Sequence, residues 1–323
     1  MGAARAFVAI ALGAMVLAGA LASLARAEDR EPAGAPTPEA MASARASGAE
    51  SVSVLYGPSF AHLMSDRIGP EFTRATGVRF DGQPQASLAE MRLTTASGAP
   101  ADVAIVTDPE LLGEKATAAQ APYYVVFAAD AMVVAYRGDS TYAKAIASGM
   151  PWFDALRAGG VRFGRLDPDL HPLGMRAIFV LQLARRYYES GDLAAQLLRP
   201  DQIVPATDLV PRLQRGALDA ALLYRSQAVE AGLSLLDLPV EINLSDPGRR
   251  GVYDEASLEV HGNLQRGAPL VVAAVPLAPA PHPAVALRFV DFLTSGRGRR
   301  IFEDSGFVTL PGFPLRRAWG QAP

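Results

Sequence analysis

Apolar and polar positions alternate through Ser51, Val52, Ser53 and Val54 of the stretch 51–56, SVSVLY, and the two valines are β-branched, so the stretch predicts a strand. Residues 60–76 carry a helical pattern that stops at Gly77, and residues 78–82 predict a second strand. A helix over 87–96 and a buried strand over 101–106, ADVAIV, follow. This β-α-β-α-β alternation predicts a parallel sheet covered by helices. Two further strand-like runs, 123–127 and 131–136, are split by Ala128, Ala129 and Asp130, where the chain is expected to cross into a second lobe. Residues 152–158 predict a short helix. A helix over 207–216 then leads from Val204 and Pro205 into a strand over 220–224. A returning strand over 269–275 and one amphipathic helix over 283–302, hinged at glycine, close the pattern.

The stretch 161–185, VRFGRLDPDLHPLGMRAIFVLQLAR, passes from a short apolar piece through an Asp- and Pro-rich loop into a helix. Met175, Phe179, Leu183 and Tyr187 recur at four-residue spacing and define one apolar face. Pro168 and Pro172 keep the loop out of helical geometry, and Gly174 allows close backbone approach. Such a helix start presents N–H groups that suit an anion. An ordinary strand–loop–helix connection has the same local features. Ser59 follows a strand and sits just after Gly57 at a helix start, where its hydroxyl either contacts an oxyanion or acts as an N-cap. Ser87 opens the next helix in the same way. Tyr224 ends the strand 220–224, and its phenol is a neutral donor or an amphipathic packing group. At Leu209 the backbone N–H, rather than the side chain, is the donor on offer.

Composition narrows the partners. The chain has 323 residues, is 50% hydrophobic and carries a formal net charge of -3, so no basic face for nucleic acid is expected. It contains no cysteine, which removes disulfides, thiolate metal sites and a cysteine-linked lipid anchor. Arg5, the apolar run over 6–24 and Ala25-Arg26-Ala27 predict a cleaved signal peptide over 1–27 and a periplasmic protein; an uncleaved anchor is the alternative. Residues 28–50, rich in Pro, Ala, Ser and Gly, read as a disordered leader.

The pattern F-G-x-x-D-P-x-x-x-P-x-G-x-R over 163–176 resembles the signature loop of the periplasmic molybdate/tungstate-binding proteins of ABC importers, closest to their archaeal-type branch. So do LPVEINLSDP over 238–247 with Tyr253 and SLEV over 257–260, and ALDAALLYRSQAVEAGL over 217–233. The resemblance implies an α/β type II solute-binding fold: two lobes joined by two crossings, with the ligand in the cleft between them. On that basis lobe 1 spans 51–127 plus 276–323 and lobe 2 spans 128–275. It implies capture of a tetrahedral oxyanion, molybdate or tungstate, without catalysis or cofactor, with a membrane permease as partner and a monomeric chain. The site residues it implies are Ser59, Ser87, Leu173, Gly174, Leu209 and Tyr224, with His171 as a further candidate and no direct metal ligation.

Two departures matter. His171 stands where the branch carries a second loop Asp, and Leu223 where it carries a Glu before the Tyr. The loss of both carboxylates points to hydrogen bonding of an intact oxyanion. His171, if it faces the ligand, predicts affinity that rises as pH falls from about 8 to 6. Asp167 and Asp169 are expected to cap backbone or point to solvent. Two alternatives remain: the same fold taking sulfate, phosphate or a small organic acid, and an esterase built on GPSFA over 57–61, with Ser59 as nucleophile and His171 as base.

Overall fold

Two sheets organise the computed structural model, which describes residues 50–85, 100–107, 109, 121, 123–278, 280–309 and 312–318. The expected signal peptide and leader, apart from Glu50, lie outside the described residues, as do the helix expected over 87–96 and Ser87. The chain begins with β1 (Ser51–Tyr56), β2 (Arg79–Pro84), β3 (Val103–Val106) and β4 (Tyr124–Ala129). With the late strands β11 (Val271–Pro276) and β12 (Leu315–Arg317) they form one six-stranded sheet in the order β12-β4-β11-β3-β1-β2. Strand β1 pairs parallel with β2 and β3, as the pattern predicts. Strand β11 runs antiparallel between β3 and β4, so the sheet is mixed rather than parallel. Residues 271–275, expected in the second lobe, therefore belong to the larger sheet. Returning from the other lobe, they satisfy ladder groups of β3 and β4 on both sides, with Ala273 opposite both Val106 and Val126.

The helix expected over 60–76 divides into a 3-10 turn (Pro58–Phe60), a π-helical turn (Leu63–Ile68) and α1 (Gly69–Thr76). Pro70 supplies no N–H, and its ring crowds the preceding turn, which accounts for the widened winding just before it. The face of the larger sheet covered here is held by aromatic rings. Phe72 meets Phe289 edge-on at 5.0 Å, and Phe127 meets Phe302 at 4.9 Å.

The smaller sheet contains β5 (Met132–Tyr136), β6 (Phe163–Gly164), β7 (Ala220–Tyr224) and β8 (Ser234–Asp237), in the order β6-β7-β5-β8. Strands β6 and β7 are parallel, while β5 is antiparallel to β7 and β8. Its core is packed by α2 (Pro172–Tyr187), whose Leu173, Phe179, Val180 and Leu183 are buried, and by the shorter α3 (Leu209–Gln214) and α4 (Arg225–Glu230). A hairpin, β9 (Ser257–Val260) and β10 (Asn263–Arg266), turns through His261 and Gly262, both at positive φ. The single helix expected over 283–302 is two, α5 (Pro283–Thr294) and α6 (Gly296–Asp304). Ser295 interrupts it with extended backbone and caps α6 by accepting the Gly298 N–H at 3.2 Å.

The chain passes between the sheets at 129–132 and returns between β10 and β11, and the two passages are stitched together. The Asp130 N–H donates to the Leu270 carbonyl at 2.7 Å, and Met132 N–H donates to Asn243 at 2.8 Å. The Asp130 carboxylate accepts from Ala131 N–H, Ser226 N–H and the Ser226 hydroxyl. Burial pushes its pKa above the usual carboxylate range, against the pull of those bonds and of Arg176.

Candidate oxyanion site

Strand β6, the 165–171 loop and α2 form one continuous device. The Asp167 carboxylate accepts the Asp169 N–H at 3.0 Å, and its carbonyl accepts the His171 N–H at 3.0 Å, so the loop folds on itself before the helix. That is the backbone-capping role expected of Asp167; Asp169 is exposed. His171 is the N-cap of α2, with extended backbone, and its Nδ1 accepts the Leu173 N–H at 3.2 Å. The neutral imidazole therefore carries its proton on Nε2. Burial, and then the charge of Arg176, hold the His171 pKa below that of a free histidine.

Gly174 is buried in the first turn of α2. A Cβ there would stand 2.6 Å from the Leu166 carbonyl oxygen and 2.7 Å from that of Asp167. Backbone lies against backbone, so only glycine fits. Leu173 sends its side chain into the core at 2% exposure, and its N–H is the one that His171 caps.

The bridge between Arg165 and Ile203 is parallel, like the pairing of β6 with β7. Three strand-like segments thus point the same way, and α2, α3 and α4 all begin beyond their carboxyl ends. Leu209 opens α3, which has no side-chain cap; Asp208 at its N-cap instead pairs with Arg212 at 3.0 Å. Tyr224 ends β7 at the N-cap position of α4. The Arg176 Nη1 donates to the Tyr224 hydroxyl, with the guanidinium carbon 5.4 Å from the ring centroid. Because a guanidinium only donates, the phenol oxygen is the acceptor in that bond and its own proton points elsewhere.

Of the residues expected in the site, His171, Leu173, Gly174, Leu209 and Tyr224 are thus brought to one end of the smaller sheet. Ser59 is exposed in the turn that follows β1, at the carboxyl end of that strand. Gly57, not Ser59, holds the N-cap of that turn, without a side-chain bond. Leu223 is fully buried in the core of the smaller sheet. Arg176 was not among the expected site residues, although it closes the loop pattern in the sequence. Its partner Tyr224 lies 48 residues away, a distance that no local pattern spans.

Residues 52–308 match the family described as bacterial extracellular solute-binding protein. A Haloferax volcanii protein, provisionally named as the molybdenum-binding protein of an ABC transporter, is 34% identical over 271 residues, 84% of this chain and 85% of its own. The molybdate/tungstate-binding protein WtpA of Pyrococcus abyssi is 29% identical over 262 residues, 72% of this chain and 76% of its own. Among solved structures, the substrate-binding domain of a provisionally named molybdenum ABC transporter from Clostridium difficile superposes with a TM-score of 0.61 at 15% identity, covering 81% of this chain and all of that one. The periplasmic molybdate-binding protein of Azotobacter vinelandii gives 0.53 at 18% identity, covering 80% of this chain and 99% of its own. At these identities the structural likeness shows the fold, the two-lobe type II solute-binding architecture.

Proposed function

The chain belongs to the bacterial extracellular solute-binding proteins, and from that premise we propose that it captures molybdate or tungstate as an intact tetrahedral oxyanion for an ABC importer. The observation that carries the reading is the convergence of the α2, α3 and α4 starts with Tyr224 at one end of the smaller sheet, in a chain whose relatives bear molybdate and tungstate names. Oriented N–H and O–H donors replace the hydration shell of a dianion without a protein carboxylate in its metal shell. Leu223, buried where a carboxylate would align, supports that view.

In this reading lobe 1 contributes Ser59 and Ser87 and lobe 2 contributes Leu173, Gly174, Leu209 and Tyr224. The first lobe is built on the six-stranded sheet and the second on residues between the two crossings. Ligand closes the lobes, and the closed form is what the membrane permease recognises. The esterase alternative loses support, since the named relatives are binding proteins and the His171 Nδ1 is engaged with Leu173. The chain acts outside the cytoplasm; export by a cleaved signal peptide to the periplasm, as a monomer, belongs to the proposal.

A thermal-shift panel of molybdate, tungstate, sulfate, phosphate and chromate tests it. A bound anion stabilises the native state by about 2.7 kcal/mol at a hundredfold excess over its dissociation constant. Molybdate and tungstate should shift the transition at lower concentrations than the other three. Ser59→Ala should weaken binding by about 1.5–3 kcal/mol, the range for a hydrogen bond to a charged group. A panel in which sulfate or phosphate leads overturns the ligand assignment, and unchanged calorimetric affinity in the alanine variant removes Ser59 from the site.

A further inference from the structure

The hairpin β9–β10 lies along α2 and is fastened to it at both ends. At the base, Gln182 of α2 binds Ser257 twice. Its Nε2 donates to the Ser257 carbonyl at 2.9 Å, and its Oε1 accepts the Ser257 N–H at 2.9 Å. Arg186, one turn further along α2, pairs with Glu255. At the tip, the His261 Nε2 lies 2.9 Å from the Asp169 carbonyl. A carbonyl only accepts, so the imidazole donates. The 4 residues of β9 span about 13 Å, and α2 rises about 15 Å from Pro172 to Gln182. The lengths match, so the strand runs antiparallel to the helix, from Gln182 back to the loop that precedes it.

Turn geometry alone does not account for His261. Val260 pairs with Asn263, so His261 and Gly262 are the two residues of a tight turn, at φ 50° and 76°. Asn-Gly, Asp-Gly or Gly-Gly fill such a turn most readily, and a bulkier residue held at left-handed φ costs free energy. What the histidine adds is reach, because Nε2 stands beyond the end of an asparagine amide. The loop it touches is the one that folds on itself through Asp167, which holds the Asp169 and His171 N–H groups. Asp169 and Leu170 at the crown of that loop are exposed, Leu170 to 78%, so burial does little to fix them. The hairpin itself is firmly closed: Arg266 donates to the Asp254 carbonyl at 3.1 Å. From there the chain runs to Leu270, the partner of Asp130 at the passage between the sheets.

We infer that β9–β10 is a splint for the oxyanion loop and that His261 is a positioning residue of the site. It holds the 165–171 loop in the form that presents the first turn of α2 to the anion, and the inference rests on the oxyanion reading above. Pre-organisation is what the bond supplies, and its effect is bounded by the net worth of one hydrogen bond. His261→Asn suits the left-handed turn but is too short to reach Asp169. His261→Gln places an amide N–H close to where Nε2 stands. In the whole mature chain, His261→Asn should weaken molybdate binding about two- to tenfold by calorimetry, at an unchanged or higher urea midpoint. His261→Gln should recover most of that affinity. Without ligand, the Asp169, Leu170 and His171 amides should exchange hydrogen faster in His261→Asn, while those of β5 and β7 keep their native rates. Native affinity in His261→Asn overturns the inference, and so does an equal loss in both variants or a loss matched by a fall in the urea midpoint. If the native chain binds neither molybdate nor tungstate, the ligand reading fails by itself and exchange decides the splint: faster loop exchange keeps it, and unchanged exchange removes it.

Discussion

At Gly174 the first turn of α2 runs so close to the preceding loop that one added carbon meets two backbone oxygens, and neither can rotate away. Gly174→Ala should lower the stability of the ligand-free protein by about 1–3 kcal/mol, the range for forcing extra volume into a packed site. Urea denaturation without ligand measures this, and an unchanged midpoint would mean that the loop gives way freely. His171 makes a second prediction at this scale. Its pKa is held below the free value, so the folded state resists taking up the proton that the unfolded chain accepts near pH 6.5. The stability contributed by the neutral cap is present above that pH and is lost as pH falls toward the depressed folded value. Urea midpoints from pH 8 to 5 should therefore decline more steeply in the native chain than in His171→Gln, and parallel curves would show that the cap does not titrate. The sequence posed His171 as either facing ligand or pointing to solvent. Its use as a cap was not legible, because the bond to Leu173 depends on loop geometry.

At the scale of elements, β6 is only two residues long and cannot hold its place by ladder bonds alone. Asp219, just before β7, accepts the Arg162 N–H at 2.8 Å and both Nε and Nη2 of that guanidinium at 2.9 and 3.0 Å. Burial would raise its pKa, but the bonds from Arg162 outweigh that and hold it below the usual range. Asp219→Asn should cost about 1.5–3 kcal/mol at neutral pH, as for hydrogen bonds to a charged group. The penalty should shrink as pH falls through the depressed carboxylate pKa, because the native protein then loses the same charge. Chemical denaturation at pH 7 and near pH 3 tests both parts, and a pH-independent difference would show that the charge is not what binds β6 to β7. Strands β1 to β5, β7 and β11 were readable from their apolar runs, but of the four-residue spacing in α2 only Phe179 and Leu183 are buried, while Tyr187 is exposed. The split of the closing helix at Ser295 was not readable, since its apolar face continues across the break.

On the scale of the whole molecule, the two passages between the sheets are coupled by the Asp130–Leu270 bond, and beside them Arg225 Nη1 of α4 donates to the Gly306 carbonyl at 3.0 Å. A domain closure about these passages must keep or break those bonds as a set. The N-terminal segment carries the remaining prediction. Cleavage after Ala27 should leave a mature periplasmic chain beginning at Glu28. Mass spectrometry of the periplasmic fraction reads that terminus, and an intact Met1 found only in membranes would establish an anchored protein instead.

What the sequence by itself determined was the alternation of strands and helices and the loop over 163–176 with its glycine, because each rests on local periodicity or on a backbone conformation that one residue type permits; the two lobes were implied by the family resemblance. Only tertiary structure decided that β11 enters the larger sheet antiparallel, since strand partners are chosen by distant ladder groups. It also decided that Arg176 reaches Tyr224. Contacts of that range leave no period in the chain; they exist only where packing has brought the segments together.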